Sequence, residues 1–143
     1  MKIKFLIAIL FLLSGCSSAP EKVYQVSNYE QASSELSKLA DRKRQLQEYD
    51  EALELYLKAE EFALKRNDQR KIGISKLKRA LIYIILDDDQ QAEMLIAEVE
   101  KANQVEKLNL EQAVTFIRAK SLLKQGDKPR ALALSSQLEA FYQ

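Results

Sequence analysis

Histidine and tryptophan are absent from the 143 residues, and cysteine occurs once, as Cys16. Without histidine, the Ser–His and Cys–His arrangements that activate a nucleophile cannot be built. The His- and Cys-rich tetrahedral zinc patterns fail for the same reason. A lone cysteine closes no internal disulfide. Glycine is limited to Gly15, Gly73 and Gly126, too scattered for a phosphate-cradling loop, and proline to Pro20 and Pro129. A one-signed charge is also missing. The chain carries 22 Lys and Arg against 21 Asp and Glu, so no long-range field draws it to nucleic acid or anionic lipid. The acidic clusters offer little in return. Glu60 and Glu61 are adjacent, do not face each other on a helix, and read as solvated. Asp87-Asp88-Asp89 lacks the spaced oxygen ligands of a calcium loop and reads as a helix cap. The expectation is a protein that is not an enzyme, with no cofactor, no metal and no nucleic-acid partner.

What is present is helix-forming sequence. Ala, Leu, Glu, Lys and Gln dominate, and no alternating β-branched run of strand length occurs. The apolar spacing predicts six helices and an all-α fold. The first is expected to start at Ser27-Asn28-Tyr29-Glu30, which has the form of a capping box, and to carry Leu36, Leu39, Ala40 and Leu46. The second starts near Tyr49 and ends at Asn67-Asp68. The third runs from Ile72 to Leu86, and Asp87-Asp88-Asp89 both ends it and caps the fourth. Asn109 and Gln112 look like a second capping box for the fifth. Gly126 stops that helix, Asp127 caps the next, and Pro129 sits in its first turn.

The helices repeat in pairs. Ala52, Ala92 and Ala131 occupy equivalent places in the second, fourth and sixth helices, 40 and 39 residues apart. Ala40, Ala80 and Ala119 do so in the first, third and fifth, again 40 and 39 apart. Two markers with one period predict an array of three antiparallel helix pairs. The stretches "YDEALELYLKA" (49–59) and "KQGDKPRALAL" (124–134) resemble the tetratricopeptide repeat, with Tyr83 matching the aromatic three residues after its small first-helix residue. The period is longer than the family's ~34 residues. Leu36, Lys76 and Thr115 stand where the family has a tryptophan, and the proline after the second helix is missing. The resemblance implies a divergent, short right-handed solenoid over residues 27–143.

The N-terminal end carries a different signal. Met1-Lys2-Ile3-Lys4 is basic, Phe5 to Leu13 is an unbroken apolar run, and small residues follow. That order is the pattern of a secretion signal. The run is about half the ~20 residues a spanning helix needs, although an anchor helix or a buried apolar end are the alternatives. Leu13-Ser14-Gly15-Cys16 resembles the lipobox of bacterial lipoproteins. The resemblance implies a signal peptide over 1–15, cleavage before Cys16, diacylglycerol on its sulfur, and a lipidated flexible tether over 16–26. Ser17, in place of Asp, implies sorting to the outer membrane on its periplasmic side where the source has two membranes.

In a tetratricopeptide array the first helix of each pair lines the concave side. The resemblance therefore places Ser37, Lys38, Asp41, Arg44 and Gln45 there, then Leu77, Lys78, Leu81, Ile84 and Ile85, then Phe116, Ile117, Lys120, Leu123 and Lys124. The candidate groove is centred on Leu77, Leu81, Ile84, Ile85, Phe116 and Lys120, unless a tightly curled array makes these residues core. An apolar helix or strand of another envelope protein is the expected ligand. The functional expectation is a lipid-anchored periplasmic adaptor, similar to the small lipoproteins that assist assembly of outer-membrane machines. The alternative is a structural lipoprotein that self-associates through the same surface.

Overall fold

The computed structural model describes residues 21–140, with side-chain surroundings for 28–138. The signal-like segment, Cys16 and the terminal residues 141–143 lie outside the described residues. All regular structure within them is helical: α1 Glu21–Gln45, α2 Tyr49–Lys65, α3 Gln69–Ile85, α4 Asp89–Glu106, α5 Glu111–Lys124 and α6 Lys128–Ala140.

Four of the five connections are one turn used repeatedly. In Leu46-Gln47-Glu48, Arg66-Asn67-Asp68, Leu86-Asp87-Asp88 and Gln125-Gly126-Asp127 the middle residue has positive φ, between 53° and 84°. Its N–H and that of the next residue bond back to the carbonyls three and five positions earlier. Asp87 N–H bonds to Ile84 and Asp88 N–H to Tyr83, at 3.4 and 2.9 Å. This is the Schellman arrangement, which satisfies the free carbonyls at a helix end. The third turn residue then opens the next helix. Asp68, Asp88 and Asp127 accept from the backbone N–H of Lys71, Gln91 and Arg130 at 3.0, 3.1 and 3.3 Å. A three-residue link of this kind reverses the chain, which is why consecutive helices pack antiparallel.

The pairing follows from small residues at the seams. Ala40, Ala80, Ala119, Ala52, Ala92 and Ala131 are all buried to 5 % exposure or less. The closest packing lies within α1–α2, α3–α4 and α5–α6; between pairs, α2 packs on α3, α4 on α5, and α3 on α5. Among the described residues no substantial packing joins α1 or α2 to α5 or α6. Three helix pairs thus stack in order, consistent with a tetratricopeptide-like helical repeat. The largest apolar core lies among α3, α4 and α5, around Leu77, Ile84, Ile96, Val99 and Ile117. A second joins α1, α2 and α3 around Ala40, Ala52, Tyr56 and Ile82. Burial of a side chain such as Ile96 or Val99 contributes roughly 1.5–3 kcal/mol.

Two helix starts differ from the sequence expectation. Helix α1 begins at Glu21, so residues 21–26, expected within the tether, are helical, and Ser27 to Glu30 lies inside the helix. Pro20 immediately precedes α1 in the sequence, and no further proline or glycine follows until Gly73. The Glu30 carboxylate pairs with Arg66, and with Lys71 at 3.4 Å. The hydrogen bond from Arg66 and the positive charge of both partners hold it below the usual carboxylate range.

The fifth helix does not use Asn109 as its cap. Asn109 has φ 56° and precedes Leu110, the residue at the helix boundary. That conformation turns both Leu108 and Leu110 into the core. The cap comes from α4 instead: Asn103 Oδ1 accepts from Leu110 N–H at 3.0 Å and Asn103 Nδ2 donates to Glu111 at 2.9 Å. Gly73 makes room for this loop, since a Cβ there would lie 2.6 Å from Leu110 Cδ1.

Candidate functional site

The odd-numbered helices α1, α3 and α5 form one face of the stack, and two seams run along it. In the α1/α3 seam short hydroxyls on α1 meet long cations on α3. Lys71 Nζ donates to Ser34 at 3.2 Å, and Lys78 Nζ to Ser37 at 3.1 Å and to Asp41 at 2.7 Å. The Tyr56 hydroxyl on α2 donates to the same Asp41 carboxylate at 2.5 Å, and the Lys78 ammonium stands 5.4 Å from the Tyr56 ring centroid. Burial, aided by the hydrogen bond to Asp41, raises the Tyr56 hydroxyl far above its ordinary pKa. These contacts tie three helices together.

The α3/α5 seam is apolar. Leu81, Ile84, Ile85, Phe116 and Leu123 line a groove of about 650 Å³, with Arg44, Lys120 and Lys124 at its rim. A smaller recess of about 180 Å³ continues it past Ile74, Leu77, Lys78 and Ala113. The side chains divide into two layers. Leu77 and Ile84 are buried, at 4 % and 3 % exposure, and belong to the core beneath. Ile85, Phe116 and Leu123 are 37 %, 46 % and 48 % exposed. Leu81 is half-buried between them. Of the six residues on which the sequence expectation centred, Leu81, Ile85, Phe116 and Lys120 present a surface, whereas Leu77 and Ile84 support it. Ile117 is likewise buried. Leu77 and Ile84 on α3 and Ile117 on α5 turn inward because they pack with Leu95, Ile96 and Val99 of α4 in the core beneath the groove.

The rim carries cations. Lys120 stands 5.5 Å from the Phe116 ring centroid. Lys124 Nζ donates to the Ile85 carbonyl at 3.2 Å and pairs with Asp87 at 3.0 Å.

The outer joints between pairs hold a feature missed in sequence. Glu60 on α2 is buried and pairs with Arg79 on α3 at 2.7 Å. It is not the solvated residue expected from its neighbour Glu61. One repeat later, Glu100 on α4 takes a forked contact from Arg118 on α5, at 2.6 and 2.7 Å. Arg118 also reaches both oxygens of Glu93. The hydrogen bonds that Arg118 donates to Glu100 lower the Glu100 pKa and raise that of Arg118. The signal was present: Glu60 and Glu100 are 40 residues apart and Arg79 and Arg118 are 39 apart, the same period as the alanines.

Among the described residues no group of three or more acidic, cysteine or histidine side chains is arranged to hold a metal. No helix of the described residues is long and apolar enough to cross a membrane. No family model, curated protein or solved structure matches the chain.

Proposed function

We propose that this protein is a lipid-anchored adaptor of the bacterial cell envelope, held at the outer membrane through Cys16 and binding another envelope protein in the α3/α5 groove, in the manner of the lipoproteins that help outer-membrane machines to assemble. The observation that carries the binding role is the groove itself. It sets Ile85, Phe116 and Leu123 side by side and open to solvent. Elsewhere the exposed large apolar residues are spread over other faces, such as Val105 on α4 and Leu132 on α6. Scattered exposure of that kind is ordinary on a folded surface, whereas contiguous apolar area marks an interaction site. The anchor rests on Leu13-Ser14-Gly15-Cys16. Two or three acyl chains hold firmly where one does not, since each buried methylene contributes about 0.8 kcal/mol. The described helices would then stand off the bilayer with the groove facing the periplasm.

The test is photocrosslinking in cells from position Ile85, with Phe116→Asp as the comparison. The expected result is an adduct with an envelope protein, abolished by Phe116→Asp while the circular dichroism spectrum stays helical. An adduct that survives Phe116→Asp would place binding elsewhere. Mass spectrometry of the same material reads the anchor separately: Cys16 is expected at the N-terminus carrying acyl chains, and an unmodified thiol would end that part of the reading.

A further inference from the structure

We infer that the occupant of the groove is an amphipathic α-helix with acidic residues flanking its apolar stripe on both sides. The inference rests on reading the groove as a docking surface, and adds the form and charge of what docks. The form follows from backbone chemistry. An extended segment needs partners for its N–H and C=O groups, which a sheet edge supplies. The described residues contain no strand, and the groove floor offers Leu81, Ile85, Phe116 and Leu123. Backbone left unpaired against such a floor carries a desolvation cost for every buried group. A helix satisfies its own backbone and needs only an apolar face. From Ile74 to Ile85 the floor runs about 16 Å along α3, roughly three turns of an occupant.

The charge follows from what is left over. Several cations elsewhere meet carboxylates, such as Lys43 with Glu48 and Glu51, Lys76 with Glu98, Arg79 with Glu60, and Arg118 with Glu93 and Glu100, while others, such as Lys58 and Lys101, stand exposed without one among the described residues. At the groove, Lys78 and Lys124 are matched by Asp41 and Asp87. Arg44 and Lys120 have no carboxylate within ion-pairing distance among the described residues. What sets these two apart from exposed lysines elsewhere is their place beside an apolar groove whose lining holds cations and no carboxylate. Arg44 stands on α1 and Lys120 on α5, at the rim of a groove whose floor includes α3. A helix lying over α3 would therefore meet a cation along each flank. Glu or Asp beside its apolar stripe would be matched, and Lys or Arg would be repelled.

The experiment uses the full chain in zwitterionic nanodiscs, with empty discs as the blank, and three labelled peptides of fifteen residues. One has a leucine stripe at helical spacing flanked by Glu, the second has the same stripe flanked by Lys, and the third has Glu flanks with the stripe changed to Ser. The expected result is binding of the first about tenfold or more tighter than of the second at low salt, a gap that narrows as salt screens the rim. The first peptide should gain helical ellipticity on binding, and the serine-stripe peptide should not bind. The double variant Arg44→Glu, Lys120→Glu should reverse the order of the first two. Equal binding of both leucine peptides would overturn the acidic preference and leave the groove reading standing. Equal binding of a fourth peptide, the first one with a central proline added, would mean an extended occupant and overturn the helical form. Binding that survives Phe116→Asp would remove the groove itself. A dimer in sedimentation that Phe116→Asp dissolves would assign the groove to a second copy and overturn the inference.

Discussion

The two seams on the odd-numbered face are built from one repeat yet end in opposite states. Between α1 and α3 the helices are bridged by side chains that satisfy one another: Ser34, Ser37 and Asp41 take the ammonium groups of Lys71 and Lys78. Between α3 and α5 the helices pack directly, and the residues above the contact are Leu81, Ile85 and Phe116. One of the exchanges that make the difference lies on the later helix of each seam. Lys78 lies two residues before Ala80, and Ile117 lies two before Ala119. A cation at that position reaches across to the preceding helix and fills the seam. An isoleucine turns into the core and leaves its neighbours Phe116 and Lys120 at the surface. A repeat scaffold can thus close one groove and open the next by changing a few side chains at equivalent positions, as Ser34, Ser37 and Asp41 on α1 give way to Ile74, Leu77 and Leu81 on α3.

The largest effect expected from breaking this comparison lies in the buried layer under the open seam. Leu77→Asp places an unpaired carboxylate among Ile84, Leu95 and Val99, and should cost more than about 4 kcal/mol. Phe116→Asp, one layer above, should change stability by less than about 1 kcal/mol, since it removes a half-exposed ring. Urea unfolding of the two variants measures the difference. Comparable losses would mean that the groove surface is core.

The outer joints offer an intermediate effect. The Glu60 and Arg79 side chains are 10 % and 17 % exposed, against 34 % and 32 % for Glu100 and Arg118. Arg79→Ala leaves a nearly buried carboxylate unpaired and should cost about 3 kcal/mol. Arg118→Ala leaves a carboxylate that water reaches, and should cost about 1 kcal/mol after solvent screening. A double-mutant cycle at each joint isolates the pair energies.

The smallest effect is on acid stability. Glu100 and Glu30 are both held below the ordinary glutamate value of 4.5, by Arg118 and by Arg66 respectively. A carboxylate with a lowered folded-state pKa adds stability that is complete above its unfolded value and is lost as pH falls through the folded one. The melting temperature should therefore fall as pH drops below about 4.5. Glu100→Gln should make that fall shallower while lowering the melting temperature at neutral pH. A slope unchanged by Glu100→Gln would mean that other carboxylates govern the acid limb.

Much of the fold could be read from short stretches. Helix ends at Asp68, Gly126 and Asp127 were legible because a Schellman turn and an aspartate cap involve residues within about six positions of one another. The six alanines gave the pairing because close helix approach demands small residues at a fixed period. The groove was partly legible: Phe116 and Lys120 stand where the repeat pattern put them. Leu77 and Ile84 are indistinguishable from Leu81 and Ile85 by residue type, and only packing against α4 and α5 separates the buried layer from the groove surface. Glu60 is equally opaque beside Glu61, since its partner Arg79 arrives from the next helix.

By itself, then, the sequence determined an all-helical chain, its pairing and its turns, because helix propensity, capping and apolar period act over a few residues or repeat at a fixed interval. The tertiary structure alone decided which carboxylates are buried, how Asn103 caps a helix other than its own, and which of two similar seams stays open. Those outcomes depend on side chains that approach only once the pairs have stacked, where burial and charge pairing are set by neighbours distant in the chain.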